Sequence, residues 1–170
     1  MRECECACAP GYFVRDDGTV RLKRGKITRG YSNYGYLRVS MFGGGKMFTR
    51  SVHTLVAKAF VKNPRPDIFC WVDHINHDKA DNRAENLRWV DRELNDANQK
   101  GDCVKHIPTN VNRPWCSNPY RMKSISFKTR EEAVRCSLER KKRKFDEMYM
   151  KKLSSEPKFK TVGVQCVIVK

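Results

Sequence analysis

The most constraining stretch of the chain is residues 71–98, WVDHINHDKADNRAENLRWVDRELNDAN. An Asp–His pair, Asp73 and His74, directly follows a short apolar run at 69–72. Asn86 stands twelve residues past His74, and a β-prone run, Leu87-Arg88-Trp89-Val90, comes next. Asp91 can cap a short helix that carries Asn95 one turn further on. The order is strand, loop, strand, helix. It brings one carboxylate, one imidazole and two amides within reach of one point. Hard divalent cations take oxygen ligands, and an Asp carboxylate and an Asn amide oxygen are of that type. An imidazole beside such an ion can act as general base toward a water.

This pattern, DH, then a polar loop, then NLRWV, then a helix with Asn in its first turn, resembles the HNH nucleases, whose core is the ββα-metal fold. Within that family it looks most like the phage and intron-encoded homing endonucleases, and the resemblance covers roughly residues 12–99. It implies that Asp73 and Asn95 hold one Mg²⁺ or Mn²⁺ ion per site and that His74 activates the attacking water. It implies that Asn86 accepts a hydrogen bond from the His74 ring and sets its tautomer, which leaves the other ring nitrogen free as base. The reaction implied is hydrolysis of DNA phosphodiesters to 5′-phosphate and 3′-hydroxyl ends. His77, Asp78 and Asp81 lie in the loop, and His77 reads as a solvated residue. Asn82 and Asn98 resemble further recurrent amides, expected to tie loop and helix together through backbone hydrogen bonds.

Charge supports a nucleic-acid partner. The 170 residues carry a formal net charge of +16. Residues 1–52 hold 10 basic and 4 acidic side chains, residues 53–100 hold 8 of each, and residues 101–170 hold 17 and 7. Two basic arms flank a neutral centre: phosphate affinity outside, acidic ligands inside. With 39% hydrophobic residues the chain is globular rather than disordered. No apolar run is long enough to span a bilayer and no signal peptide is apparent, so the expectation is a cytoplasmic protein, in a bacterial or phage-infected cell, acting as a monomer on double-stranded DNA. The 8 cysteines are scattered and read as reduced thiols. Cys4, Cys6 and Cys8 lack the paired CxxC spacing of a structural zinc site and read as part of a frayed terminus.

Three domains are expected in an α+β fold: an amino-terminal antiparallel β module with a connecting helix at 1–60, the ββα-metal core at 61–100, and a small mixed carboxy-terminal module at 101–170. Residues 12–14 and 19–22 read as a hairpin around Asp16-Asp17-Gly18. Residues 35–42 alternate, with Leu37, Val39 and Met41 on one face and Tyr36 and Arg38 on the other, and 46–52 form the partner strand across Gly43-Gly44-Gly45. Arg21, Lys23, Arg24, Lys26, Arg29 and Arg38 make this module the candidate DNA reader, since a two-stranded ribbon fits the major groove. A short helix at 53–60 has an apolar face, and His53 at its start reads as structural.

In the carboxy-terminal part, 123–127 alternates as a strand does, and Thr129 with Glu132 forms a capping box for a helix over 130–153. Val134, Leu138, Phe145 and Met148 are its expected buried stripe. Arg140, Lys141, Lys142 and Arg143 are expected to contact phosphate. The order of strands then helix resembles, in degenerate form, the AP2-like modules of some phage HNH nucleases. Residues 161–169 are β-prone. Two other functions fit the residues: a non-catalytic DNA-binding regulator derived from a nuclease, and a less specific HNH nuclease of toxin or structure-specific type.

Overall fold

The computed structural model describes residues 1–98, 103–117, 119 and 122–155; the β-prone run at 161–169 lies outside these. The period-two pattern at 35–42 becomes β6 (Tyr36–Gly43), the longest strand. It pairs on one side with β5 (Tyr31–Asn33) and on the other with β7 (Lys46–Ser51). Val39 and Met41 point into the core, at 4% and 0% exposure, as the alternation requires. A second antiparallel sheet, of β1 (Glu3–Glu5), β2 (Phe13–Arg15), β3 (Val20–Arg21) and β4 (Ile27–Thr28), precedes it. The amino terminus is therefore not frayed. Cys4 sits opposite Val14, Cys6 is buried, and Glu3 is held by Arg21 at 2.7 Å and Arg15 at 3.4 Å. These charge pairs, together with the Arg2–Asp16 contact, give the edge strand the partners that its composition does not advertise.

Helix α1 (Val52–Phe60) follows β7 without a break and buries Val52, Leu55, Val56 and Ala57. It packs under a two-stranded ribbon, β8 (Trp71–His74) and β9 (Leu87–Val90), where the Trp89 indole donates to the Val61 carbonyl at 2.9 Å. Helix α2 (Arg92–Ala97) starts on the expected cap, with Asp91 Oδ1 accepting from Leu94 N–H at 2.9 Å. The carboxy-terminal part forms a three-stranded sheet, β10 (Val104–His106), β11 (Trp115–Ser117) and β12 (Ile125–Phe127), with the 25-residue α3 (Arg130–Ser154) packed on it. Thr129 caps α3 through Glu132 N–H, as the capping box requires.

The buried stripe of α3 differs from the expected one. Ala133, Ser137 and Phe145 are buried, Met148 is half-buried against the core, and Leu138 is 52% exposed. Small residues lie where the helix presses on its own sheet, and Phe145 enters the main core beyond it. One cluster joins Val14, Val20, Met41, Val56, Phe69, Val90, Leu94 and Phe145, so all three parts share it. Phe69 and Phe145 each stack on Tyr149, at 5.2 and 5.9 Å between centroids. Polar contacts fasten the end of α3 to α2 and the segment before β8. Lys152 Nζ donates to Asp91 and Glu93, and Arg65 donates to the Lys152 and Ser155 carbonyls.

The β2–β3 turn supports the loop after β8. Gly18 has φ +85, and a Cβ there would lie 2.8 Å from the backbone carbon of Asn82. Asp16 O accepts from Ala84 N–H at 2.9 Å beside it. Gly18→Ala combines a left-handed backbone with a backbone clash, and it should cost at least about 1–2 kcal/mol in urea unfolding. His53 generates a second expectation. Its ring packs against Tyr36 at 5.3 Å and against His74 at 5.1 Å, and its buried Nδ1 has no partner among the described residues. Burial, and secondarily His74, push its imidazole down to about 4. The fold thus holds the neutral ring. This contribution, up to about 3 kcal/mol, is complete above the unfolded value near 6.5 and is lost as pH falls toward 4. His53→Phe should flatten the acid limb of melting temperature over that window relative to the wild type.

Candidate active site

Asp73 and His74 are the last two residues of β8, opposite Arg88 and Leu87 of β9. Both are buried, at 9% and 5% exposure. Successive residues on a strand point to opposite faces, so the two side chains have different surroundings.

His74 faces α1. Its Nε2 lies 3.0 Å from Asn82 Oδ1. An amide oxygen only accepts, so Nε2 carries the proton and Nδ1 keeps the lone pair. This is the tautomer expected of a base, and the orienting residue is Asn82 rather than Asn86. Asn82 is 2% exposed, and its Nδ2 is buried with no partner among the described residues. Asn86 instead organises the loop. Its Oδ1 accepts from Asn76 N–H at 3.0 Å, and its Nδ2 donates to Asn76 Oδ1 at 2.9 Å and Asp81 O at 2.8 Å. Asp81 completes the lattice. It accepts from Asn76 Nδ2, and the Arg83 guanidinium holds its carboxyl down at about 2. The physical reason for the exchange is the turn at Ala84–Asn86, which directs Asn86 back across the loop to Asn76 and Asp81 and leaves Asn82 to meet the ring at Nε2. His77, with φ +63, sits at the bend of the loop and is half-buried.

Asp73 faces α2. Its Oδ2 accepts from Arg88 Nε at 2.9 Å, Arg88 Nη2 at 2.8 Å and Asn98 Nδ2 at 2.8 Å. Among the described residues all its side-chain hydrogen bonds fall on this one oxygen, which leaves Oδ1 to take another group. Asn98, expected to bond backbone, thus belongs to the carboxylate. Asn95 lies one turn earlier on the same face of α2 and is half-buried. Its side chain makes no hydrogen bond among the described residues. An uncommitted carboxylate oxygen and an uncommitted amide oxygen, both hard donors, fit a Mg²⁺- or Mn²⁺-type ion. Among the described residues no cluster of three His, Cys, Asp or Glu side chains is poised to bind metal, so such an ion would depend on amide, water and substrate oxygens as well.

The candidate DNA-contacting residues separate into two kinds. Lys23, Arg24, Lys26 and Arg29 are exposed around the β3–β4 turn. Arg21 is half-exposed but already paired with Glu3 and lies over the Phe13 ring at 3.9 Å, and Arg38 Nε is buried. On α3 the four consecutive cations do not share a face. Arg140 donates to the Lys123 carbonyl, Lys141 is half-buried, and Lys142 and Arg143 are exposed, with Arg143 3.8 Å from Glu147. Residues 100° apart on a helix cannot all meet one backbone.

Sequence reasoning did not assign Asn82, Asn98 or Arg88 to the site. Arg88 had one available signal: a basic residue in the strand that must pair with the one carrying Asp73.

Comparison with known proteins gives concordant results. The family model described as HNH endonuclease matches residues 51–97. An uncharacterised HNH endonuclease, L247 of Acanthamoeba polyphaga mimivirus, is 54% identical over 81 residues, covering 46% of this chain and 20% of that one. DNA endonuclease I-HmuI of Bacillus phage SP01 is 38% identical over 90 residues, covering 52% and 51%. A solved structure described as DNA binding and cleavage by the HNH homing endonuclease I-HmuI superposes with a TM-score of 0.52 at 35% identity, covering 58% of this chain and 57% of that one. The chain thus spans about half of I-HmuI and a fifth of the viral relative. Motif, ribbon-and-helix core and likeness agree: residues 51–97 of this chain are similar to the HNH endonucleases.

Proposed function

We propose that the protein is a metal-dependent DNA endonuclease of the homing type, which nicks one strand per binding event at a long site. The observation that carries this reading is the state of two adjacent buried groups. His74 has its proton fixed on Nε2 by Asn82, and Asp73 has one oxygen saturated and the other uncommitted. His74 Nδ1 takes a proton from water, and the resulting hydroxide attacks phosphorus. The bond from phosphorus to the 3′ oxygen then breaks and that oxygen takes a proton from solvent water, leaving 5′-phosphate and 3′-hydroxyl ends. Asp73 and Asn95 would hold a divalent cation, whose chemistry is to stabilise charge on the phosphoryl and leaving oxygens. One such site per monomer is why a nick is the expected product.

Plasmid nicking in Mg²⁺ or Mn²⁺ tests the reading. The wild type should convert supercoiled plasmid carrying a site to open circles, and random fragmentation would point to a less specific nuclease. His74→Ala should slow nicking by about 10²–10⁴ while duplex affinity stays near wild type. Asp73→Ala should abolish metal-dependent nicking. Asn82→Ala should lower the rate by about 10–100-fold with an unmoved metal midpoint, because it acts on the ring and not on the ion. A catalytically intact Asn82→Ala would remove that residue from the site.

Duplex binding should rest mainly on Lys23, Arg24, Lys26 and Arg29. Log affinity falls with log salt at a slope of about −0.9 per phosphate contacted. Replacing all four with Ala should make the slope shallower by up to about 3.6, and Lys142→Ala with Arg143→Ala by at most about 1.8. Paired salt titrations of the two variants check the ranking.

A further inference from the structure

Arg88 connects the site to the carboxy-terminal helix. Its guanidinium grips Asp73 Oδ2 through Nε and Nη2, and its carbon Cζ lies 3.7 Å from the centroid of the Phe145 ring. Asp73 and Arg88 are direct partners across the β8–β9 ribbon, so the reach is short and both prongs converge on one carboxylate oxygen. Phe145 is 6% exposed, in the middle of α3, and Tyr149 stacks on it one turn later. Lys152 then fixes α3 to the first turn of α2, the helix that carries Asn95 and leads into Asn98. Two routes therefore run from α3 to the same carboxylate, one through Phe145 and Arg88, the other through Lys152 and α2.

We propose that Arg88, clamped under Phe145 of α3, is a positioning residue for Asp73: it fixes the carboxylate rotamer so that Oδ1 alone is presented to a cation. Docking of α3 thus sets the competence of the site for metal. The proposal rests on the endonuclease reading for the identity of the reaction, but its geometry concerns this chain alone. Asp73 is buried, and its remaining partner, Asn98, contributes one neutral bond. A single amide donor leaves the carboxylate free to turn about the bond that joins it to Cβ. A two-pronged guanidinium under an aromatic ring does not. Partners that orient a ligating carboxylate typically matter by 10–100-fold in metal affinity.

Electrostatics alone has the opposite sign, and this makes the proposal sharp. Removing a positive charge from Asp73 should tighten binding of a divalent cation. If positioning dominates, removal weakens it. The experiment is calorimetric titration of the DNA-free full chain with Mn²⁺. Arg88→Ala should raise the midpoint by about 10–100-fold, and Arg88→Lys should fail to restore it, since an ammonium keeps the charge and lacks the fork. Phe145→Leu should raise the midpoint severalfold, and Phe145→Tyr should return it to the wild-type value. Circular dichroism melts establish that each variant is folded.

A second reading does not depend on metal. In the wild type the Arg88 Nε–H proton should be shifted upfield by the Phe145 ring and exchange slowly in ¹⁵N-resolved NMR. Both signatures should vanish in Phe145→Leu and persist in Phe145→Tyr. Unchanged or tighter Mn²⁺ binding in Arg88→Ala would overturn the proposal and make Arg88 a competitor of the ion. An Arg88 signal indifferent to Phe145 would remove α3 from the mechanism. Failure of the wild type to nick any duplex would refute the endonuclease reading and leave the calorimetric and NMR results to judge this one.

Discussion

Four cross-strand pairs between β8 and β9 are the contact on which the rest of the site depends: Trp71 with Val90, Val72 with Trp89, Asp73 with Arg88 and His74 with Leu87. A ribbon of two four-residue strands is not stable alone in water. It persists here because Leu87, Trp89 and Val90 are buried beneath α1, α2 and the end of α3. Its pleat then decides the chemistry. Asp73 and His74 are neighbours in sequence, yet they project to opposite faces, so the base and the carboxylate can be supported by different parts of the chain.

The support is divided accordingly. The amino-terminal sheets serve His74. Tyr36 of β6 and His53 of α1 pack on its ring, and the Asp16–Gly18 turn presses on the loop that delivers Asn82. The carboxy-terminal helix serves Asp73 through Phe145 and Arg88. Both routes are made of buried polar groups held by apolar packing, and buried polar groups are costly unless paired. Among the described residues six buried side-chain polar atoms have no partner, and two of them, Asn82 Nδ2 and His53 Nδ1, lie in the His74 surroundings. A fold selected for stability alone would pair or remove them.

Elements set by local rules were legible in the sequence. The alternation of β6, the Asp91 and Thr129 caps, and the strand–loop–strand–helix order each follow from two to eight neighbouring residues, and the structure has them. What long-range packing sets was not legible. Asn82 and Asn86 are four residues apart in one polar loop, and only the folded turn at Ala84–Asn86 decides which amide meets the ring. The burial register of α3 was misread for a related reason. Its sequence offers apolar residues on several faces, and the choice fell to Ala133 and Ser137 because a sheet approaches closely there. Asp73, His74 and Asn95 stand where the motif puts them. The partners of Asp73, drawn from β9 and α2, came from the tertiary structure.

Charge was the most overread signal, and the reason is instructive. Counting cations assumes that each faces solvent. In this fold Arg21 holds Glu3, Arg65 holds Asp67 and the end of α3, Arg88 holds Asp73, and Lys152 holds Asp91 and Glu93. Arg140 satisfies a carbonyl of its own module. Such cations act as internal fasteners, and their removal from the tally leaves the β3–β4 turn as the densest exposed cluster of the amino-terminal module. A basic segment such as α3 can therefore contribute in two separable ways, by presenting cations to solvent and by bracing Arg88 through Phe145. In α3 the two uses lie on different faces of one helix. Lys142 and Arg143 look outward while Phe145 looks inward, so the exposed cations and the hold on Arg88 are separate features of one helix.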